Sequence, residues 1–243
     1  DRLTETATPE MIALAAKNHG CRSVAFTYND PVIFLEYAVD IAQACREMDI
    51  STVAVTAGYL LAEARREFFQ NIDAANIDLK AFNNKFYKKI CGGRLEYVLE
   101  TLEYLKKETD VWFEITTLLI PNENDSSQEI HAMCEWILEH LGTGVPLHFT
   151  AFHPDWKMRN ISHTPHSTLK RAREIALAEG IHYVYVGNVL DKSGSSTYCH
   201  QCRELLIGRE WYELSDWNID QAGCCIKCGT KCPGFIEQHP GNW

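Results

Sequence analysis

The sequence has no apolar run approaching the ~20 residues that a membrane-crossing helix requires, so a helical membrane protein is excluded. Positive charge is also scarce. The 23 Lys and Arg face 33 Asp and Glu, giving a formal net charge of −10. Such a surface is a poor match for nucleic acid, because neutralising phosphates needs clustered Lys and Arg. No G-x-G-x-x-G or Walker-type loop follows any of the expected strands, so the usual backbone cradle for phosphate is missing. The opening "DRLTETATPEMI" has neither a charged n-region nor an apolar h-region. With no secretory signal visible, the chain reads as cytoplasmic. What remains is an ordinary globular balance of 46% hydrophobic and 23% charged residues over 243 positions. That length allows one large domain or two ordinary ones, with a full core and no need of disulfide staples.

Residues 1–190 alternate short β-branched runs with amphipathic stretches. "TPEMIALAAKNHG" predicts a helix capped by Thr8, with Pro9 in its first turn and Gly20 as its stop. Strands are expected at 23–28, 52–56, 75–80, 111–120, 146–152 and 182–187, each separated from the next by a helical segment. Strands alternating with helices imply right-handed βαβ crossovers and a parallel sheet, either doubly wound or a partial barrel. A full eight-fold barrel needs about 250 residues, and this segment starts on a helix, so one strand is expected to precede residue 1. From 191 the text changes to a polar "LDKSGSSTY" linker and a Cys- and Trp-rich tail. The expected division is therefore an α/β domain at 1–190 and a small second domain at 191–243.

Cysteines fall into two populations. Cys21, Cys45, Cys91 and Cys134 are scattered among apolar neighbours, and the other six lie between 199 and 232. "CHQC" (199–202) and "CIKC" (225–228) are two Cys-x2-Cys knuckles 22 residues apart. Each puts two thiolates on one sharp turn, and together they complete a tetrahedral all-sulfur site that suits zinc, with a rubredoxin-like single iron as the second option. The metal ligands are thus expected to be Cys199, Cys202, Cys225 and Cys228. Gly229 is expected to make room beside the sulfurs. Cys224 and Cys232 are left as spare neighbours. Cys91, in "ICGGRLE", reads as an apolar packer, although its two glycines would let a ligand come near.

In parallel α/β sheets ligands gather at the carboxyl ends of the strands. Those ends carry Asn29 and Asp30, Thr56, Asp78 and Lys80, Asn122, His153 and Asn188. Carboxylates with a Lys and a His on one rim suit a ligand that combines an amine, a carboxylate and a ribose.

The segments "AFTYNDPVIFLEY", "ANIDLKAFNNKFYKKICGG", "TTLLIPNENDSSQEI", "HFTAFHPDWKM" and "YVYVGNV" resemble the radical SAM enzymes related to pyruvate formate-lyase activating enzyme, in particular those of the AmmeMemoRadiSam system. The resemblance covers nearly the whole chain and implies a partial (βα)6-type parallel barrel that lacks its first strand, followed by a zinc-ribbon-like tail. It also implies S-adenosylmethionine and a [4Fe–4S] cluster as cofactors, with a 5′-deoxyadenosyl radical abstracting hydrogen from a substrate. Neither the substrate nor the partner is specified, and a protein is among the candidates. By the resemblance, Asn29-Asp30 takes the place of a Gly-Gly-Glu motif that holds the methionyl amine. Asp78 and Lys80 match an Asp-x-Lys motif lining the cofactor, Thr56 flanks them, and His153 lies near the adenosine.

One element of the pattern is missing. No Cys-x3-Cys-x2-Cys occurs in the chain. Cys224–Cys228 and Cys228–Cys232 have the first spacing, but Lys231 and Phe235 stand at the third position. The cluster's ligands are therefore expected upstream of residue 1, and the chain by itself is expected to be inactive. The alternative from another class is a non-catalytic α/β domain that binds S-adenosylmethionine or a nucleotide, with a ribbon that docks a protein.

Overall fold

The computed structural model describes residues 6–236. Helix α1 (Pro9–Asn18) starts where the sequence places it: Thr8 Oγ1 accepts from Met11 N at 3.3 Å, and Pro9 sits where no N–H is required. Strand β1 (Ser23–Phe26) passes through a 3-10 turn, Pro31–Phe34, into α2 (Leu35–Arg46). Then come β2 (Ser51–Thr56), α3 (Ala62–Phe69) and β3 (Ala74–Asp78). The short α4 (Asn84–Phe86) runs directly into a π-helical turn, Tyr87–Cys91. Next are α5 (Leu95–Glu108), β4 (Trp112–Leu119), α6 (Ser127–His140), β5 (Leu147–Ala151), α7 (His166–Glu179) and β6 (Val184–Gly187). The four-residue α8 (Lys192–Ser195) leads to β7 (Thr197–Tyr198), β8 (Leu205–Glu210) and β9 (Glu213–Trp217). No helix among the described residues is long and apolar enough to cross a membrane.

The first six strands form one parallel sheet in sequence order, β1-β2-β3-β4-β5-β6, the topology of a partial barrel. Alternation within each strand explains the sheet's two faces. In β4, Phe113, Ile115, Thr117 and Leu119 are buried, while Trp112, Glu114, Thr116 and Leu118 are half-buried. β2, β3 and β5 repeat the pattern, so the fully buried face carries the core and the other carries most of the polar side chains. Each fully buried Leu, Ile or Phe on that core face contributes on the order of 1.5–3 kcal/mol.

Packing divides the chain into two compact units, one formed by residues up to Leu79 with Arg94–Glu114, the other by Lys80–Gly93 with everything from Ile115 onward. Position 190/191 falls within the second of these units. The architecture does change there, to a three-stranded antiparallel sheet β7-β8-β9, but the packing continues across it. The tail's core of Leu206, Ile207, Ile219, Cys199, Cys225 and Cys232 closes over Tyr183, which precedes β6 directly. Tyr183 Oη lies 2.9 Å from His200 Nδ1, and Tyr185 Oη lies 2.9 Å from Thr197 Oγ1.

Within the second unit, the segment 80–93 is held by side chains of α6 and the loop before it. Glu129 accepts from Phe82 N and Asn83 Nδ2, both at 2.7 Å. The sequence Ser126-x-x-Glu129 has the form of a capping box, and Ser126 Oγ does accept from Glu129 N at 3.2 Å. The Glu129 carboxylate takes up the neighbouring segment rather than its own helix terminus.

The junction after β6 depends on Asp191. Its Oδ1 accepts from Gly194 N at 2.9 Å and from Ser193 Oγ at 2.8 Å, and its Oδ2 lies 2.9 Å from His166 Nε2. Gly194 is required by close approach, since a Cβ there would lie 2.3 Å from Val186 Cγ2. Burial acts to raise the Asp191 carboxyl, but the Gly194 N–H, His166 and Ser193 outweigh it and hold the group down at about 2. Asp191→Ala should cost about 1 kcal/mol of stability near neutral pH through loss of the cap. Because the folded-state value lies below the ordinary 3.8, the wild-type advantage should be full above that pH and fade as pH falls through about 2. Urea titrations of both proteins across that range check this, and a deficit unchanged down to pH 2 would contradict it.

Candidate functional site

Each strand end that the sequence singles out is a built structure. In the first unit, β1 ends in Tyr28-Asn29-Asp30. Tyr28 is fully exposed and held at φ 68°, a left-handed conformation uncommon for a bulky residue. Asn29 is exposed and Asp30 half-buried. The Asp30 carboxylate accepts three hydrogen bonds: Oδ1 from Val32 N at 3.2 Å and from Thr56 Oγ1 at 2.7 Å, and Oδ2 from Ala57 N at 2.9 Å. Thr56 Oγ1 accepts in turn from Gly58 N at 3.0 Å, and the buried Thr101 Oγ1 donates to Gly58 O at 2.7 Å. Gly58 has φ 63°, and a Cβ there would come within 3.0 Å of Ile77 Cγ2. Asp30 and Thr56 are thereby brought into one hydrogen-bonded rim, with Asn29 exposed next to it in sequence. Asp78, the last residue of β3, is half-buried on the polar face of the same unit.

Lys80 and His153 belong to the second unit and have separate anchors there. Lys80 N donates to Tyr87 Oη at 3.2 Å, and Lys80 O accepts from Asn124 Nδ2 at 2.6 Å. Asn124 is the buried organiser of this strand end, since it also accepts from Ile120 N at 2.6 Å and donates to Leu118 O at 2.9 Å. His153 is exposed, edge-on to His163 at a centroid distance of 4.7 Å. Asn122 and Asn188, after β4 and β6, take left-handed φ of 64° and 60°, and Asn188 Nδ2 donates to Ala151 O at 3.1 Å.

Sequence reasoning missed a polar row on the half-buried face of the second unit. Thr116 pairs in register with His148, and His148 with Tyr185, where the rings stack at 4.8 Å. The signal was there in "FEIT" and "LHFTA", whose polar residues recur at every second position. Cys91, at the end of the π-helical turn, is exposed, yet desolvation of its sulfur pushes the thiol above its ordinary value against the pull of Lys80. That does not favour an activated nucleophile.

The second constellation is sulfur. Cys199, Cys202, Cys225 and Cys228 place their ligand atoms within 4.8 Å of one another. Cys199 Sγ lies 3.6 Å from Cys228 Sγ, and Cys202 Sγ 3.7 Å from Cys225 Sγ. A tetrahedral ion with metal–sulfur bonds of ~2.3 Å sets its sulfurs about 3.8 Å apart, so the group fits one ion at its centre.

The two knuckles are backbone copies of each other. Arg203 N donates to Cys199 O and Cys199 N to Glu204 O in one; Gly229 N donates to Cys225 O and Cys225 N to Thr230 O in the other, all at 2.8–2.9 Å. Gly229 is needed for its φ of 72° and not for space, since a Cβ there would meet nothing within 4 Å. This corrects the sequence reading. Arg203 holds the matching position at φ 62°, at a cost on the order of 1–2 kcal/mol.

The thiols divide sharply. Cys228 is held down at about 6, first by the Thr230 side chain 3.2 Å away and then by the Thr230 backbone. At Cys202 the Glu204 backbone lowers the thiol, but burial and the three neighbouring thiols outweigh it and push the group up to about 12. Cys232 is buried in the tail core and Cys224 half-buried, both outside the four-sulfur group.

The chain belongs to the radical SAM superfamily, which matches residues 2–137. It is 39% identical over 225 residues to an uncharacterized protein of Methanocaldococcus jannaschii, covering 92% of this chain and 66% of that one. It is 29% identical over 117 residues to the 4-hydroxyphenylacetate decarboxylase activating enzyme of Clostridium scatologenes, covering 47% of this chain and 37% of that enzyme. The chain thus spans just under two thirds of the first relative and well under half of the second. Among solved structures, a domain of pyruvate-formate lyase-activating enzyme from Bacteroides vulgatus superposes with a TM-score of 0.59 at 20% identity, over 68% of this chain and 99% of that domain. That likeness carries the fold.

Two predictions come from this geometry. Asp30→Ala should destabilise the first unit by about 1–3 kcal/mol, because it strips Thr56 Oγ1 and Ala57 N of their acceptor. Denaturant unfolding would measure it, and a neutral result would contradict the rim as described. Freshly purified, reduced protein should carry about one tightly held metal ion per chain. Chelating that ion should raise amide exchange in β7–β9 and also in β6, since Tyr183 packs in the ribbon core. Exchange rising in the tail alone would contradict this coupling of β6 to the ribbon.

Proposed function

We propose that the chain forms most of a radical SAM enzyme and that its four-cysteine group holds structural zinc. The superfamily match over residues 2–137 is the observation that carries the first part, and the 3.6 and 3.7 Å sulfur pairs support the second. The chemistry expected is hydrogen abstraction by a 5′-deoxyadenosyl radical, formed when S-adenosylmethionine is cleaved reductively at a [4Fe–4S] cluster. The substrate is open, with a protein among the candidates, in line with the activating-enzyme relative.

The residues present fit the nucleoside cofactor better than the cluster. Asn29 is exposed at a strand end, and Asp30, with three of roughly four carboxylate acceptor positions occupied, keeps one for an ammonium. Thr56 would hold Asp30 in place, while Asp78, in the same unit, would face the polar groups of the methionine. For the cluster, the chain offers no cysteine triad at the family's spacing, and the four converging thiols are shaped for one ion. No step is therefore assigned to the cluster on these residues. Its thiolates would come from sequence outside the 243 residues.

The alternative, a non-catalytic domain that binds S-adenosylmethionine or a nucleotide and docks a protein through its ribbon, draws on Trp211 and Tyr212. Both are exposed in the β8–β9 turn, with their rings edge-on at 5.4 Å.

Anaerobic incubation with S-adenosylmethionine, reductant and reconstituted iron separates these readings. The 243-residue chain should yield no 5′-deoxyadenosine, and a longer protein with a Cys-x3-Cys-x2-Cys segment ahead of residue 1 should yield it. In that protein Asp30→Asn, which keeps the shape and removes the charge, should reduce the yield about ten-fold. Absence of 5′-deoxyadenosine from the longer protein would contradict the enzyme reading.

A further inference from the structure

A cavity of about 350 Å³ opens in the second unit between α7, β6, α8, β7 and the first cysteine knuckle. It is distinct from the strand-end rim, because it lies beside His182 and Val184 at the amino-terminal side of β6, whereas the rim residue Asn188 follows that strand's carboxyl end. Its volume falls in the range of small-molecule sites.

The lining is unusual for this chain. In a protein with 33 acidic residues and a net charge of −10, the cavity wall carries two arginines, Arg173 and Arg203, and no Asp or Glu. Arg173 is half-buried, and its Nε donates to Val184 O at 2.9 Å, which fixes the plane of the guanidinium. Its two terminal nitrogens, and the whole Arg203 guanidinium, have no carboxylate partner among the described residues. A guanidinium fixed in this way offers parallel donors to a carboxylate or phosphate. Around them stand rings. Tyr198 and Tyr185 line the wall, as does His182, which is stacked flat on His200 at 4.2 Å with planes 4° apart.

Arg203 adds an independent observation. It occupies a left-handed position, φ 62°, that glycine holds in the twin knuckle. A glycine would meet the backbone requirement of the knuckle without strain, so the strain is borne for the side chain that it delivers to the cavity.

We infer that this cavity binds a small planar anion, an aromatic carboxylate or aryl phosphate, with its charge between Arg173 and Arg203 and its ring against the tyrosines. The inference is independent of the radical chemistry. The test uses the full chain with its metal, titrated by calorimetry and ligand-observed NMR with phenyl phosphate, benzoate, phenol and inorganic phosphate. Phenyl phosphate or benzoate should saturate one site and bind at least about ten-fold more tightly than phenol, with inorganic phosphate weaker than phenyl phosphate. Arg203→Gly should keep the knuckle, because Gly229 already holds that conformation in its twin, and should weaken binding about ten-fold or more. Arg173→Gln, remote in sequence from the cysteines, should weaken it similarly and decides the matter by itself if Arg203→Gly loses metal. Failure of both aryl anions to saturate, or wild-type affinity in Arg173→Gln, would overturn the site.

Discussion

Four cysteine sulfurs held within 4.8 Å of one another cannot all carry negative charge unless a cation lies between them, and the second unit is organised around that constraint. The four-sulfur group joins two turns that stand at either end of a 22-residue excursion containing β8 and β9. Fastening the two turns closes the excursion over Tyr183, and the apolar residues of the small sheet then have a surface to cover. A sheet of three short strands has little core of its own, and packing on Tyr183 extends it; an ion held by the four cysteines would add to its stability. Arg203, the residue after Cys202, has its backbone held by the same turn and lines the cavity beside β6.

The rim follows a different rule. Strands that stop must leave their last backbone groups paired, and this chain pairs them with side chains that also look like ligands for a cofactor. Asp30 serves Val32, Thr56 and Ala57, and Asn124 serves the backbone of Leu118, Ile120 and Lys80. Such residues do two things at once: they fix the loops and set the polarity of the surface. Loss of activity in an Asp30 variant therefore has to be separated from loss of fold, which is why the isosteric amide is more informative than alanine.

Much of the fold was legible from the sequence because its two periodicities are clean. The 3.6-residue pattern between Leu95 and Glu108 and the two-residue pattern between Trp112 and Leu119 each admit one reading. The cysteine spacing was equally decisive, since Cys-x2-Cys twice over leaves few geometries for four sulfurs. What stayed hidden depended on contacts between distant residues. The reach of Glu129 to Phe82 spans 47 positions, and nothing in the local pattern of α6 distinguishes it from an ordinary capping box. The polar linker around Ser193 gives no sign in sequence that Gly194 lies against Val186 or that Tyr185 reaches Thr197. The left-handed Arg203 was invisible too, because a non-glycine residue gives no sign in sequence that its backbone is strained.

The measurement that bears most directly on this account is X-ray absorption at the metal edge of freshly purified, reduced protein. A single shell of four sulfur scatterers at about 2.3 Å, with no metal–metal vector, is the result it predicts. A short iron–iron vector, or a shell dominated by nitrogen and oxygen, would contradict it.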